Sequence, residues 1–132
     1  MSEYDFMEVD HRVASLGIQL FKNLRTLVDD NYRLIDREFF PAVNKAIKSG
    51  QVENDITKLL FFPSYSDNSE DVQGMLSVAI NVGLLVYYHE YLSYYKFNIS
   101  QATARRVFRQ EQQYNNKEVN KFAKLVLENI KP

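Results

Sequence analysis

The chain has no cysteine and no tryptophan, and its 132 residues include only two histidines, three prolines and four glycines. Without cysteine there is no disulfide, no thiolate nucleophile and no Cys-ligated zinc or iron–sulfur centre. The same absence suits a reducing compartment. Two histidines leave little from which to build a metal site. Glu8 and His11 have the Glu-x-x-His spacing of di-iron bundles, but that architecture needs a second such pair, and Val86 stands three residues before His89. His89-Glu90 opens like a zinc-protease helix motif, yet position 93 is Ser. No Gly-rich phosphate loop, nucleophile elbow or dinucleotide fingerprint is present. The adjacent acids Asp29-Asp30 and Glu70-Asp71 sit at helix ends, where capping accounts for them. No catalytic residue, metal or cofactor is expected.

The opening stretch, MSEYDFMEVD, lacks the positive start and apolar run of a signal peptide, so a cytoplasmic protein is expected. From Val72 to His89 there is no Asp, Glu, Lys or Arg. Gln73, Ser77 and Asn81 dilute that run and no basic flank borders it, so it reads as a buried helix and not a membrane span.

Few Gly and Pro, with long stretches at 3.6-residue periodicity, predict an all-α protein: one domain over residues 1–132, a bundle of five to six helices. A first helix is expected from about Asp5 to Val28, with Val13, Leu16, Leu20, Leu24 and Leu27 on one buried stripe. Residues 31–49 continue the pattern, broken or kinked near Phe40 by Pro41, and Gly50 ends them as a C-cap. A short helix should run from Asp55 to Phe62 behind Asn54, and PSYSDNS (Pro63–Ser69) should be a loop. The centre of the bundle is expected to be one long helix over about 70–95, because its apolar residues point in every direction. Ser100 and Asn115 or Asn116 then cap two final helices, the first running to about Tyr114 and the second to about Ile130.

Two features suggest function. The first is YYHEYLSYY (Tyr87–Tyr95), which holds five of the nine tyrosines. Tyr suits both core boundaries and interfaces, so Tyr87, Tyr88, Tyr91, Tyr94 and Tyr95 are the candidate protein-binding surface. The second is charge. Residues 1–95 carry 8 Lys/Arg against 14 Asp/Glu, whereas residues 96–132 carry 8 against 3. Within the basic part, KFNISQATARRVFR (96–109) has a turn-then-helix pattern. Asn98-Ile99-Ser100 stands where a helix-turn-helix carries its Gly-hydrophobe-Ser turn, with Thr103, Ala104 and Val107 at second-helix positions. Tyr94 and Ser93 depart from that pattern, since small and apolar residues are usual there. Lys96, Gln101, Arg105, Arg106 and Arg109 are the candidate contacts to nucleic acid or an acidic partner.

These features lead to three expectations. The first is a non-enzymatic helical protein, a regulator or inhibitor, that binds another protein; self-association through the tyrosines is compatible with it. The second is a helix-turn-helix-like DNA-binding regulator using residues 100–109. The third is a small-ligand or haem sensor with its ligand beside His89.

Overall fold

The structure is a computed structural model that describes residues 9–107 and 113–130. It contains α1 (His11–Leu27), β1 (Arg33–Ile35), α2 (Asp36–Lys48), α3 (Asn54–Thr57), α4 (Glu70–Asn81), β2 (Leu85–His89), β3 (Ser93–Phe97), α5 (Gln101–Val107) and α6 (Asn116–Asn129). The protein is thus mostly helical, with a small antiparallel sheet in the order β1-β3-β2. The all-α expectation holds only roughly.

The central helix is α1, and not the segment after residue 70. Val13, Leu16, Leu20, Leu24 and Phe21 are buried, as are Gly17, Gln19, Asn23 and Arg25 from other sides of the cylinder. Leu27, expected on the buried stripe, is 36% exposed at the helix end. Helix α4 packs on one side of α1 and α6 on another, while α2 packs on α6. Asp10 caps α1 by accepting from the Arg12 amide, and Asn115 caps α6 by accepting from Lys117.

The α1–α6 contact carries a ladder of amides. Gln19 donates to the Tyr114 carbonyl at 2.9 Å and to Asn116 Oδ1 at 3.1 Å, and accepts from the Tyr114 amide at 3.1 Å. The Asn23 amide donates to the Gln19 carbonyl and to Asn116 Oδ1, and its own oxygen accepts from Asn120. Buried amides are costly unless paired, so this ladder fixes the register of the two helices as well as holding them.

Residues 31–49 do not form one broken helix. Asp29 makes a turn, accepting from the Asn31 amide with its side chain and from the Tyr32 amide with its carbonyl. Strand β1 follows, burying Leu34 against β3, and only then does α2 begin. Pro41 lies inside α2 without ending it. An interior proline costs about 3 kcal/mol, but Phe39, Ala42, Val43 and Ala46 are all buried on this helix. At roughly 1.5–3 kcal/mol for each large side chain, burial outweighs the lost donor. Gly50 does close the segment, at φ 74°.

The expected helix over 70–95 breaks at Gly83. Val82 ends α4, Gly83 takes φ 83°, and the next amides turn back: Gly83 N–H to the Ile80 carbonyl, Leu84 N–H to that of Ala79. That is the Schellman pattern, which only glycine adopts without strain. The tyrosine segment beyond it is a β-hairpin, as β-branched and aromatic residues favour. Among the described residues no helix is long and apolar enough to cross a membrane.

Candidate functional site

In β2 and β3, alternate side chains face opposite sides of the sheet. The register sets Tyr87 opposite Tyr95 and Tyr88 opposite Tyr94. The five tyrosines expected to form one surface are therefore divided. Tyr87 and Tyr95 pack at 5.2 Å on the inner face, beside Leu34 and Leu85 of the core. Tyr88 and Tyr94 stack at 5.3 Å on the outer face. Tyr91 stands at the tip of the hairpin, fully exposed.

The inner pair forms one end of a cleft of about 740 Å³. Asp36, Arg37, Phe40 and Pro41 of α2 form one wall, and Gln73, Leu76, Ser77, Ile80 and Asn81 of α4 the other. Residues 66–68 of the PSYSDNS loop close the far end. Hydrogen bonds hold these walls. Tyr95 donates its hydroxyl to Asp36 Oδ1 at 3.0 Å, tying the hairpin to the start of α2. The Asn44 amide donates to Asp67 Oδ1 at 2.7 Å, tying the loop to α2. Ser69 caps α4 and donates to the Phe61 carbonyl at 2.6 Å, and Gln73 donates to Asn68. Pro41 has no amide to offer the Arg37 carbonyl, and both residues line the cleft.

Helix α4 explains why the cleft is apolar. Its residues do point in all directions, as expected, but it is not buried on all sides. Val72, Met75, Leu76 and Ala79 face the core, whereas Ile80 is 38% and Val82 55% exposed. A second hollow of about 330 Å³ adjoins the first and shares Ser66 and Asn68 with it. Phe61 and Tyr65, both exposed, line it together with Glu70 and Asp71.

The other sequence candidates lie elsewhere. Gln101 donates to the Val28 carbonyl at 2.9 Å and toward that of Thr26, so its amide closes the end of α1. Ser100 caps α5 as expected, accepting from the Thr103 amide at 3.0 Å. Arg105 and Arg106 are exposed, and Arg109 lies outside the described residues. The segment before the Asn98-Ile99-Ser100 turn is strand β3 and not a helix, so the first helix of a helix-turn-helix is missing. Asn98 also lacks the left-handed backbone that motif requires. Lys96 sits half-buried on the outer sheet face, opposite Arg33. His89 is exposed on β2, its Nδ1 2.8 Å from Ser93 Oγ, which also accepts from the Tyr87 hydroxyl at 2.9 Å. Glu8 lies outside the described residues, among which no cluster of three or more His, Asp or Glu could hold a metal ion.

Of the cleft residues, sequence reasoning singled out only Tyr87 and Tyr95. It missed Phe40, Leu76, Ile80, Asp36 and Asp67. The available signal was α4 itself, a helix too apolar for the single face it buries. No family model matches this chain, and neither a curated protein nor a solved structure matches it.

Proposed function

We propose that the protein is a non-enzymatic binding module that takes a segment of a partner protein into the groove formed by the two adjoining hollows. The observation that carries this reading is the set of exposed apolar side chains along two adjoining hollows. Tyr87, Ile80, Phe61 and Tyr65 are all exposed and line two hollows that meet at Ser66 and Asn68. Exposed apolar side chains gathered in this way mark an interaction surface. A small molecule would occupy the larger hollow alone, whose volume lies in the usual range of roughly 300–1,000 Å³; a peptide segment uses both. Asp36, Asp67, Glu70 and Asp71 against the single cation Arg37 make the groove acidic. The matching segment places apolar side chains over Leu76 and Ile80 and a Lys or Arg toward Glu70 and Asp71.

Selection from a random peptide library tests this. Wild-type protein should enrich sequences with two or more apolar residues near one basic residue. Ile80→Asp and Tyr87→Ala should each weaken the selected peptides at least tenfold, because binding energy concentrates in a few such anchors. Tyr88→Ala, on the opposite face, should leave them unchanged. A wild-type protein that enriches nothing, or peptides indifferent to Ile80→Asp, would overturn the reading.

A further inference from the structure

The outer face of the sheet carries a second arrangement that the groove does not use. Tyr94 lies in the middle strand and is only 6% exposed, although it points away from the core. It is covered by a stack. The Tyr88 ring lies parallel to it within 15°, and the Arg33 guanidinium sits 4.7 Å from its centroid. Tyr88 itself is 41% exposed, on edge strand β2, where no further strand covers the other side of its ring. Arg33 and Lys96 are directly opposed across β1 and β3. Like charges so placed repel each other. Neither has a carboxylate partner among the described residues, and the Tyr94 ring face is the contact that offsets the charge of Arg33.

We propose that this face binds single-stranded nucleic acid, with a base stacked on the open side of Tyr88 and the backbone phosphates on Arg33 and Lys96. Each feature meets one need of such a ligand. Aromatic rings bind any base through its π-face, and paired cations track the phosphate chain. Along the sheet, Tyr88 is two residues from Val86, the cross-strand partner of Lys96, and Lys96 is in turn paired with Arg33, so strand geometry sets the backbone of Tyr88 about 8 Å from that of Lys96 and about 12 Å from that of Arg33. A strand can thread ring and cations at once. A duplex keeps its bases stacked inside and cannot use the ring. An acidic protein segment would satisfy the cations but leave the stack unused.

The test is fluorescence anisotropy of a labelled oligothymidylate titrated with full-length protein at about 50 and 200 mM salt. Two phosphate contacts predict that affinity falls roughly sevenfold between these salts. Lys96→Gln should cut that ratio to about threefold, and Tyr88→Ala should weaken binding at least fivefold at either salt. Circular dichroism should show both variants folded. Ile80→Asp, in the groove, should bind the oligonucleotide as wild type does. No binding at the lower salt overturns the proposal. So does binding that ignores Tyr88→Ala, or a duplex of the same length bound as tightly, since either would reduce the face to bare charge.

Discussion

Gly17→Ala probes a close approach in the core, where α1 packs on α4. A Cβ added at Gly17 would stand 2.9 Å from Met75 Cβ, 3.0 Å from its Cγ and 3.1 Å from its Cα. In an open helix the same change would stabilise by about 1 kcal/mol, because alanine is the better helix former. Overpacking a filled core costs about 1–3 kcal/mol. Here the obstacle is Cβ and backbone, which cannot rotate away, so the cost falls at the upper end of that range. The net loss is about 1–2 kcal/mol. For a chain of this size that lowers Tm by roughly 3–10 °C in a melt followed by far-UV circular dichroism. Gly74→Ala is the internal control. Its Cβ would meet Val9 Cγ1 at 3.2 Å, a side-chain methyl on a half-buried residue that can turn aside. It should match wild type or exceed it by up to about 1 kcal/mol. If Gly17→Ala melts at or above wild type, or if Gly74→Ala is the more damaging of the two, the α1–α4 packing is not as described.

Two further changes test the remaining contacts. Asn23→Leu strips Asn120 and Asn116 of a buried partner and should cost about 2–4 kcal/mol in urea unfolding, through unpaired amides as well as lost bonds; a loss under about 1 kcal/mol would mean that the ladder is not formed. Glu118 accepts from Lys121 and from the Glu53 amide, which hold its carboxyl below the ordinary value of 4.5. A depressed folded pKa gives stability that is present above that ordinary value and lost as pH falls through the folded one. Glu118→Gln should therefore reduce the fall in urea midpoint between neutral pH and about pH 3, and an unchanged acid limb would count against the contact.

The legibility of the chain follows how local each determinant is. Most caps and loops are readable because they are settled within a few residues; the exception is Asn54, which lies inside α3 behind Glu53, and that helix ends at Thr57 and not at Phe62. Ser100 and Asn115 cap their helices, Gly50 closes α2 with a positive φ, and PSYSDNS is a loop. Gly83 was equally local and was overlooked. Asn81-Val82-Gly83 before an apolar Leu84 is a helix stop, and the aromatic residues beyond it favour a strand. The continuous apolar pattern from Val72 onward masks that stop. Strand β1 was not readable from residues 31–35, since its pairing partner lies some sixty residues away in β3. Pro41 misled for the opposite reason, because its local preference yielded to the burial of Phe39 and Val43 around it.

Sequence alone determined the largely helical character, the lack of thiol chemistry, and the acidic body with a basic C-terminal part. Those properties depend on residue type and short-range spacing. Tertiary structure alone decided that α1 is the central helix, that α4 leaves Ile80 facing a cleft, and that the tyrosines serve two opposite faces. The physical reason is that a side chain's exposure is set by what packs against it. A helix apolar all round looks the same whether its last face is buried or left open, and the register of a hairpin decides which tyrosines share a side.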